Sequence, residues 1–137
     1  METKILIVDD SSTVRFQERL LLKGLDVQID EAVNSEEALQ KVRLNRPDLV
    51  LLDIQMPGMD GVECCRRIKS DPDLKSIWVY MVTTQDAYKK IDAAFKAGCN
   101  GYLKKPINKE ELMEKIRDVK MFQKLKRSPS LTSPKGL

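Results

Sequence analysis

The chain has 137 residues, of which 42% are hydrophobic and 33% charged, a balance typical of one ordinary globular domain. Its longest N-terminal apolar run, Ile5 to Val8, is too short for a signal peptide or a membrane span, so we expect no membrane insertion and a cytoplasmic location. The cysteines Cys64, Cys65 and Cys99 lack metal-site or redox spacing, and the chain has no histidine, so we expect reduced thiols that pack in the interior.

Charge is distributed unevenly along the chain. Residues 1–114 carry 17 basic and 20 acidic side chains, whereas residues 115–137 carry seven basic and one acidic. A basic C-terminal segment can bind nucleic acid or an acidic partner. We favour a helix end whose lysines complement the helix dipole, followed by a solvated tail, so a nucleic acid is not the expected partner.

Five short apolar runs recur along the chain with helical patterns between them, as in a parallel α/β sheet. The predicted strands are residues 4–8, 27–32, 49–53, 78–84 and 101–106. The first, third and fourth runs are nearly continuous, which is typical of strands covered by helices on both faces, whereas the second alternates like an edge strand. The pattern therefore predicts a (βα)5 sandwich in one α/β domain.

Capping residues predict where the helices begin. The candidate caps are Ser11 or Ser12 for the first helix, Asn34 or Ser35 for the second, Asp60 for the third and Asn108 for the fifth. Apolar residues at three-to-four spacing extend the fifth helix over about residues 108–126. We therefore predict a domain over residues 1–127 and a flexible C-terminal tail over residues 128–137.

Carboxylates follow the ends of two predicted strands, with Asp9 and Asp10 after the first and Asp53 at the end of the third. Ligands of open parallel sheets bind beyond the carboxyl ends of the strands, so we expect the three side chains to converge there. Their mutual repulsion should raise the pKa of at least one of them unless a cation lies between them. With oxygen ligands and no histidine, Mg²⁺ or Mn²⁺ fits such a site better than Zn²⁺.

Hydroxyl and ammonium groups lie at the ends of the fourth and fifth predicted strands. Thr83 and Thr84 end the fourth run, and Lys104 and Lys105 end the fifth. A carboxylate, a metal, a hydroxyl and an ammonium group around one point suit phosphoryl transfer to the carboxylate. Asp53 is the natural acceptor because the Pro-Gly and Asp-Gly turn signals that follow it hold the loop open.

The segments ILIVDDSSTVR, LVLLDIQMPGMDG, MVTT and GYLKKP, in this order and spacing, resemble the receiver domain of two-component response regulators, including single-domain chemotaxis-type regulators. The resemblance covers about residues 3–121 and implies a flavodoxin-like fold with sheet order 2-1-3-4-5. It implies a signalling domain rather than an enzyme, one that at most catalyses its own phosphorylation and dephosphorylation. The implied partners are a histidine kinase or phosphotransfer protein and an unknown output protein. The implied switching surface, and a candidate surface for phosphorylation-dependent self-association, involves the fourth and fifth helices and the fifth strand.

The resemblance also implies roles for individual residues. Asp53 is the phosphoacceptor, Asp10, Asp53 and the backbone carbonyl of Gln55 are Mg²⁺ ligands, and Asp9 supports the ion. Lys105, directly before a proline, matches the lysine of the family, which leaves Lys104 as a surface neighbour.

The remaining roles concern the response to phosphorylation. Thr83 matches the switch hydroxyl, and Tyr102 matches the aromatic residue whose rotamer follows phosphorylation. Gln55 and Gln85 occupy positions that resemble those tuning hydrolysis of the acyl phosphate. The peptide bond between Lys105 and the proline after it is expected to be cis.

Two alternatives to a stand-alone receiver stay open. The first is a Mg²⁺-dependent phosphohydrolase with an aspartyl nucleophile, but such haloacid-dehalogenase-like enzymes carry a D-x-D motif, whereas Asp9 and Asp10 are adjacent. The second is the receiver fragment of a longer, multidomain response regulator. A nucleotide-binding module is disfavoured because the chain has neither a G-x-G-x-x-G motif nor a P-loop.

Overall fold

Strands and helices alternate along the chain in a computed structural model of the protein, which describes residues 2–127 except the side chains of Gln85 and Arg127. The strands are β1 (Thr3–Val8), β2 (Val27–Ala32), β3 (Leu49–Asp53), β4 (Trp78–Thr83) and β5 (Gly101–Lys104). The helices are α1 (Ser12–Leu22), α2 (Ser35–Asn45), α3 (Gly61–Ser70), α4 (Ile91–Lys96) and α5 (Lys109–Arg127), and a 3-10 helix (Gln85–Lys90) precedes α4.

The five strands form one parallel sheet in the order β2-β1-β3-β4-β5. This arrangement confirms the (βα)5 prediction, the strand order and the assignment of the alternating second run to an edge. The central strands β1, β3 and β4 are almost completely buried, which explains their continuous apolar sequences.

The sheet separates two apolar layers. One face packs against α1 and α5 in a cluster built from Ile5, Ile7, Leu22, Leu49, Leu51, Val82, Leu112, Ile116 and Val119 among others. The opposite face packs against α2, α3 and α4 in a cluster that includes Cys64, Cys65 and Cys99. All three cysteines are free and buried, as predicted, and burial raises the pKa of the Cys65 thiol to about 12.

Side-chain caps begin four of the helices where the sequence predicts them. The capping contacts are Val14 N to Ser11 Oγ, Glu37 N to Asn34 Oδ1, Glu63 N to Asp60 Oδ1 and Glu111 N to Asn108 Oδ1. The choice left open by the sequence falls on Ser11 rather than Ser12 and on Asn34 rather than Ser35. The fifth helix is 19 residues long and agrees with its predicted bounds within one residue at each end.

Two predicted strand ends are too long. β4 ends at Thr83 rather than at residue 84, and β5 ends at Lys104 rather than at residue 106. The Lys105 amide still donates to the Thr83 carbonyl over 2.8 Å, but Pro106 has no amide hydrogen with which to continue the ladder. The Lys105–Pro106 peptide bond is cis, as expected.

The predicted tail over residues 128–137 lies outside the described residues, so the domain boundary at residue 127 stays a prediction. Within residues 2–127, every helix is too short or too polar to cross a membrane.

Candidate functional site

The register of the sheet brings the predicted site residues to one edge. Val8 pairs with Leu52, so the next residues, Asp9 and Asp53, lie at the same level on neighbouring strands. On the other side of β3, Asp53 pairs with Val82, which brings Thr83 one residue beyond it. The ends of β1, β3 and β4 therefore deliver two carboxylates and a hydroxyl to the same place.

An acidic cluster lies at this edge. One carboxylate oxygen from each of Asp9, Asp10 and Asp53 lies within 4.8 Å of the other two. Asp9 and Asp53 are buried, whereas Asp10 is exposed, so the cluster opens to solvent on one side. Three carboxylates at this separation form the oxygen-rich donor set that a hard divalent cation such as Mg²⁺ prefers.

The ammonium group of Lys105 reaches the cluster from the end of β5. Its Nζ atom donates to Asp9 Oδ2 over 2.8 Å and lies 3.4 Å from Asp53 Oδ1. Burial alone would lower the pKa of Lys105, but the two carboxylates outweigh burial and raise it. The neighbouring Lys104 is exposed, as expected for the lysine that the resemblance leaves outside the site.

Asp53 is a carboxyl group with a raised pKa. Burial is the largest cause and the negative charge of Asp9 adds to it, while Lys105 and the Gln55 amide oppose them, which leaves the pKa at about 6. The Gln55 amide lies 3.4 Å from Asp53 Oδ1, at the long end of the hydrogen-bonding range. The predicted repulsion between carboxylates therefore contributes to the shift, but burial is its larger cause.

The residue that begins α3 packs directly against the backbone of Asp53. A Cβ atom on Gly61 would lie 2.1 Å from the Asp53 carbonyl oxygen, so only glycine fits there. The Gly61 amide also donates to the Ile54 carbonyl over 2.9 Å. The start of α3 therefore fixes the backbone that carries the Asp53 side chain.

The two predicted switch residues occupy different environments. Thr83 is completely buried, and its hydroxyl group donates to the Thr84 carbonyl over 2.9 Å. Tyr102 is half-buried, and its ring meets those of Tyr88 and Phe95 edge-on, with centroid separations of 5.9 and 6.4 Å. The hydroxyl therefore lies at the acidic edge, while the aromatic ring lies between β5 and the segment that contains α4.

The structure describes the side chain of only one of the two glutamines predicted to tune hydrolysis of the acyl phosphate. Gln55 is exposed in the loop that follows Asp53. The side chain of Gln85 lies outside the described residues. Both roles, like the use of the Gln55 carbonyl as a metal ligand, stay predictions.

Arg15 is a site residue that the sequence analysis missed. Its Nη1 atom donates to the Asp9 backbone carbonyl over 2.7 Å, and its Nε atom donates to Glu31 Oε1 over 2.8 Å. Glu31 also pairs with Arg19. These contacts fasten the end of β1, and with it Asp9, to α1 and β2.

Glu18 of α1 is the second missed residue. It is 4% exposed, and its Oε1 atom is buried with no hydrogen-bond partner among the described residues. Burial raises the pKa of Glu18 to about 8; the charge of Asp9 adds to the shift, Lys105 opposes it, and Asp53 contributes least. The i, i+4 spacing of Val14, Glu18 and Leu22 is the signal that places this carboxyl group on the buried side of α1.

Comparison with known proteins identifies the family. A family model described as the response regulator receiver domain matches residues 5–117. The transcriptional regulatory protein ResD of Bacillus subtilis (strain 168) is 37% identical over 116 residues, which cover 85% of this chain and 47% of ResD. The response regulator MprA of Mycobacterium sp. (strain KMS) is 37% identical over 117 residues, which cover 85% of this chain and 50% of MprA. The chain therefore spans about half the length of the curated relatives it matches.

Solved structures agree with this result. A putative response regulator from Chloroflexus aurantiacus J-10-fl superposes with a TM-score of 0.81 at 35% identity, covering 87% of this chain and 98% of that one. The chemotaxis protein CheY4 of Vibrio cholerae superposes with a TM-score of 0.79 at 29% identity, covering 87% of this chain and 99% of that one. The chain belongs to the response regulator receiver domain family.

Proposed function

We propose that the protein accepts a phosphoryl group on Asp53 from a histidine kinase or phosphotransfer protein and passes the signal on through a change in its surface. The observation that carries this proposal is the meeting of Asp9, Asp10 and Asp53 within 4.8 Å, with the Lys105 ammonium group among them. The proposal includes a signalling role without turnover of a separate substrate and a cytoplasmic location, both of which stay predictions.

Mg²⁺ is the proposed cofactor. Asp10, Asp53 and the Gln55 carbonyl would hold the ion with support from Asp9, and the carboxylate donor set fits that choice because hard cations prefer oxygen ligands. When bound, the ion would supply positive charge between the carboxylates and beside the phosphoryl oxygens.

Asp53 supplies the nucleophile. One of its carboxylate oxygens forms the new O–P bond as the P–N bond of a phosphohistidine donor breaks, and the leaving imidazole takes up a proton from solvent. The reaction needs no general base because a carboxylate nucleophile has no proton to lose on attack. The Lys105 ammonium group, already within 3.4 Å of Asp53, then neutralises charge on the transferred group.

Thr83 and Tyr102 are the proposed switch. The Thr83 hydroxyl now donates to its neighbouring backbone carbonyl, and a phosphoryl group on Asp53 would offer it stronger, charged acceptors. Movement of Thr83 toward Asp53 would change the space beside Tyr102, whose ring packs against Tyr88 and Phe95. The surface of α4, β5 and α5 is therefore the proposed contact for an output protein, and for self-association after phosphorylation.

Phosphorylation by a small acyl-phosphate donor tests the proposal. With Mg²⁺ present, the intact mass should rise by one phosphoryl group, and hydroxylamine should remove that group because an acyl phosphate is labile to it. Chelation of Mg²⁺, Asp53→Asn or Asp10→Asn should abolish or strongly suppress the reaction, and Lys105→Ala should slow it.

Asp26→Asn is the matched control. Asp26 is an exposed aspartate directly before β2, at the opposite edge of the sheet, so the substitution removes the same charge without touching the site. It should react like the wild type. Full phosphorylation of Asp53→Asn without Mg²⁺, or a product stable to hydroxylamine, would contradict the proposed function.

A further inference from the structure

Glu18 of α1 is a buried carboxyl group that takes no part in the hydrogen bonds and ion pairs of the acidic site. Its Oε1 atom is buried and has no hydrogen-bond partner within residues 2–127. The charged groups that act on it are those of Asp9, Lys105 and Asp53, so its carboxyl group lies within electrostatic range of the site. A buried polar atom without a partner is costly in a folded protein, and its persistence calls for an explanation.

Lys105 supplies a complementary donor. An ammonium group carries three N–H donors, and the described contacts use at most two of them, toward Asp9 Oδ2 at 2.8 Å and Asp53 Oδ1 at 3.4 Å. Both acceptors belong to carboxylates that the proposed function assigns to a divalent cation. Because an ammonium group and a divalent cation compete for the same oxygens, the cation binds more tightly if Lys105 has another acceptor within reach.

We propose that Glu18 is a positioning residue for Lys105. When a divalent cation engages the oxygens of Asp9 and Asp53, the unpaired carboxyl oxygen of Glu18 accepts one N–H of the ammonium group, and the other N–H donors stay directed at Asp53 and the group transferred to it. The inference rests on the proposed function only in its choice of cation site. It does not require Glu18 to be ionised, because a protonated carboxyl group retains an acceptor oxygen. Glu18 thereby couples α1 to the site without touching the cation.

Mg²⁺ binding by three variants tests the inference. Glu18→Met removes the acceptor and fills the buried volume, Glu18→Gln keeps an acceptor oxygen but removes the charge, and Glu2→Gln removes a charge from the exposed residue before β1, at the far edge of the sheet. We expect Mg²⁺ affinity about tenfold weaker in Glu18→Met, on the scale of one hydrogen bond to a charged group. Glu18→Gln should bind Mg²⁺ within about threefold of the wild type, since its amide oxygen still accepts a hydrogen bond.

The NMR signals of the Lys105 side chain provide a readout that a merely structural role would not change. They are assigned by their absence in Lys105→Met. On addition of Mg²⁺ the chemical shifts of these signals should change in the wild type and in Glu18→Gln. In Glu18→Met they should change by a different amount, because residue 18 no longer offers an acceptor to the ammonium group. Unchanged Mg²⁺ affinity and unchanged Lys105 signals in Glu18→Met would overturn the inference. A loss of Mg²⁺ affinity in Glu18→Gln or Glu2→Gln as large as that in Glu18→Met would also overturn it, because it would indicate an effect of charge alone.

Phosphorylation of the same samples by a small acyl phosphate separates the two proposals. If Mg²⁺ affinity depends on Glu18 but no sample is phosphorylated, the inference stands and the proposed function fails. If the wild type is phosphorylated but its Mg²⁺ affinity is independent of Glu18, the function stands and the inference fails. A wild type that binds no Mg²⁺ would overturn both.

Discussion

Replacement of Glu18 by glutamine should change how the stability of the protein depends on pH. The folded protein raises the pKa of Glu18 from 4.5 to about 8, chiefly through burial. Between these two values the folded state holds a proton that the unfolded chain has released. The contribution of Glu18 to the free energy of unfolding is therefore greatest below about pH 4.5 and falls as the pH rises toward about 8.

The size of the effect follows from the two pKa values. Integrated between pH 5 and pH 7, a carboxyl group with these values reduces the free energy of unfolding by about 2.5 kcal/mol. Glutamine has nearly the same shape but does not titrate. The wild type should therefore lose about 2.5 kcal/mol relative to Glu18→Gln over this interval, in addition to any pH dependence that the two proteins share.

Urea unfolding at pH 5, 6 and 7, followed by circular dichroism in the presence of a chelator, measures this difference directly. The chelator is needed because a divalent cation bound to the neighbouring carboxylates would change the protonation of the site. Glu2→Gln removes an exposed carboxyl group, and its free energy of unfolding should depend on pH as that of the wild type does. If the difference in free energy of unfolding between the wild type and Glu18→Gln stays constant from pH 5 to pH 7, the assignment of a raised pKa to Glu18 is refuted.

Two further substitutions test how the site is held and how it signals. Gly61→Ala should lower the free energy of unfolding by about 1–3 kcal/mol and slow phosphorylation, because its Cβ atom would lie 2.1 Å from the Asp53 carbonyl oxygen. An unchanged free energy of unfolding together with an unchanged phosphorylation rate in Gly61→Ala would contradict the reasoning. Thr83→Ala should still accept phosphate but respond weakly at Tyr102, and NMR shifts in β5 equal to those of the phosphorylated wild type would disprove the coupling.

The sheet was predictable because burial imposes a simple pattern on its strands. The run Leu49–Asp53 is apolar up to its last residue, and the structure buries all five residues between two layers of helices. Residue pattern alone indicates a parallel sheet but says nothing about which strands are neighbours. The strand order came from the family resemblance, since it depends on long-range packing that short apolar runs do not encode.

The segment between β4 and β5 was the least predictable part of the fold. It contains a 3-10 helix, Gln85–Lys90, followed by the six-residue α4. Neither Thr84 nor Lys90 caps its helix through a side chain, so the sequence carries no start signal of the kind that marks α1, α2, α3 and α5. Six residues are also too few for apolar periodicity to define a helix.

The site was predictable where it lies at strand ends and unpredictable where it depends on helix packing. Asp9, Asp53 and Thr83 follow from the strand pattern, because the ends of parallel strands meet at one edge. The choice of Lys105 over Lys104 came from the resemblance. Glu18 was missed because a charged residue within a helix normally faces solvent, although its spacing from Val14 and Leu22 places it on the buried side.

Glu18 adds to the excess of buried negative charge at the acidic edge of the sheet. Asp9, Asp53 and Glu18 are all buried, and the ammonium group of Lys105 is the cation that the described contacts bring to Asp9 and Asp53. Burial and this excess of negative charge over the single positive charge of Lys105 raise the pKa values of both Asp53 and Glu18. A divalent cation and protons would compete for these carboxylates, since metal binding releases protons from its ligands. We therefore expect Mg²⁺ to bind more weakly as the pH falls, and a titration of Mg²⁺ affinity against pH checks this expectation.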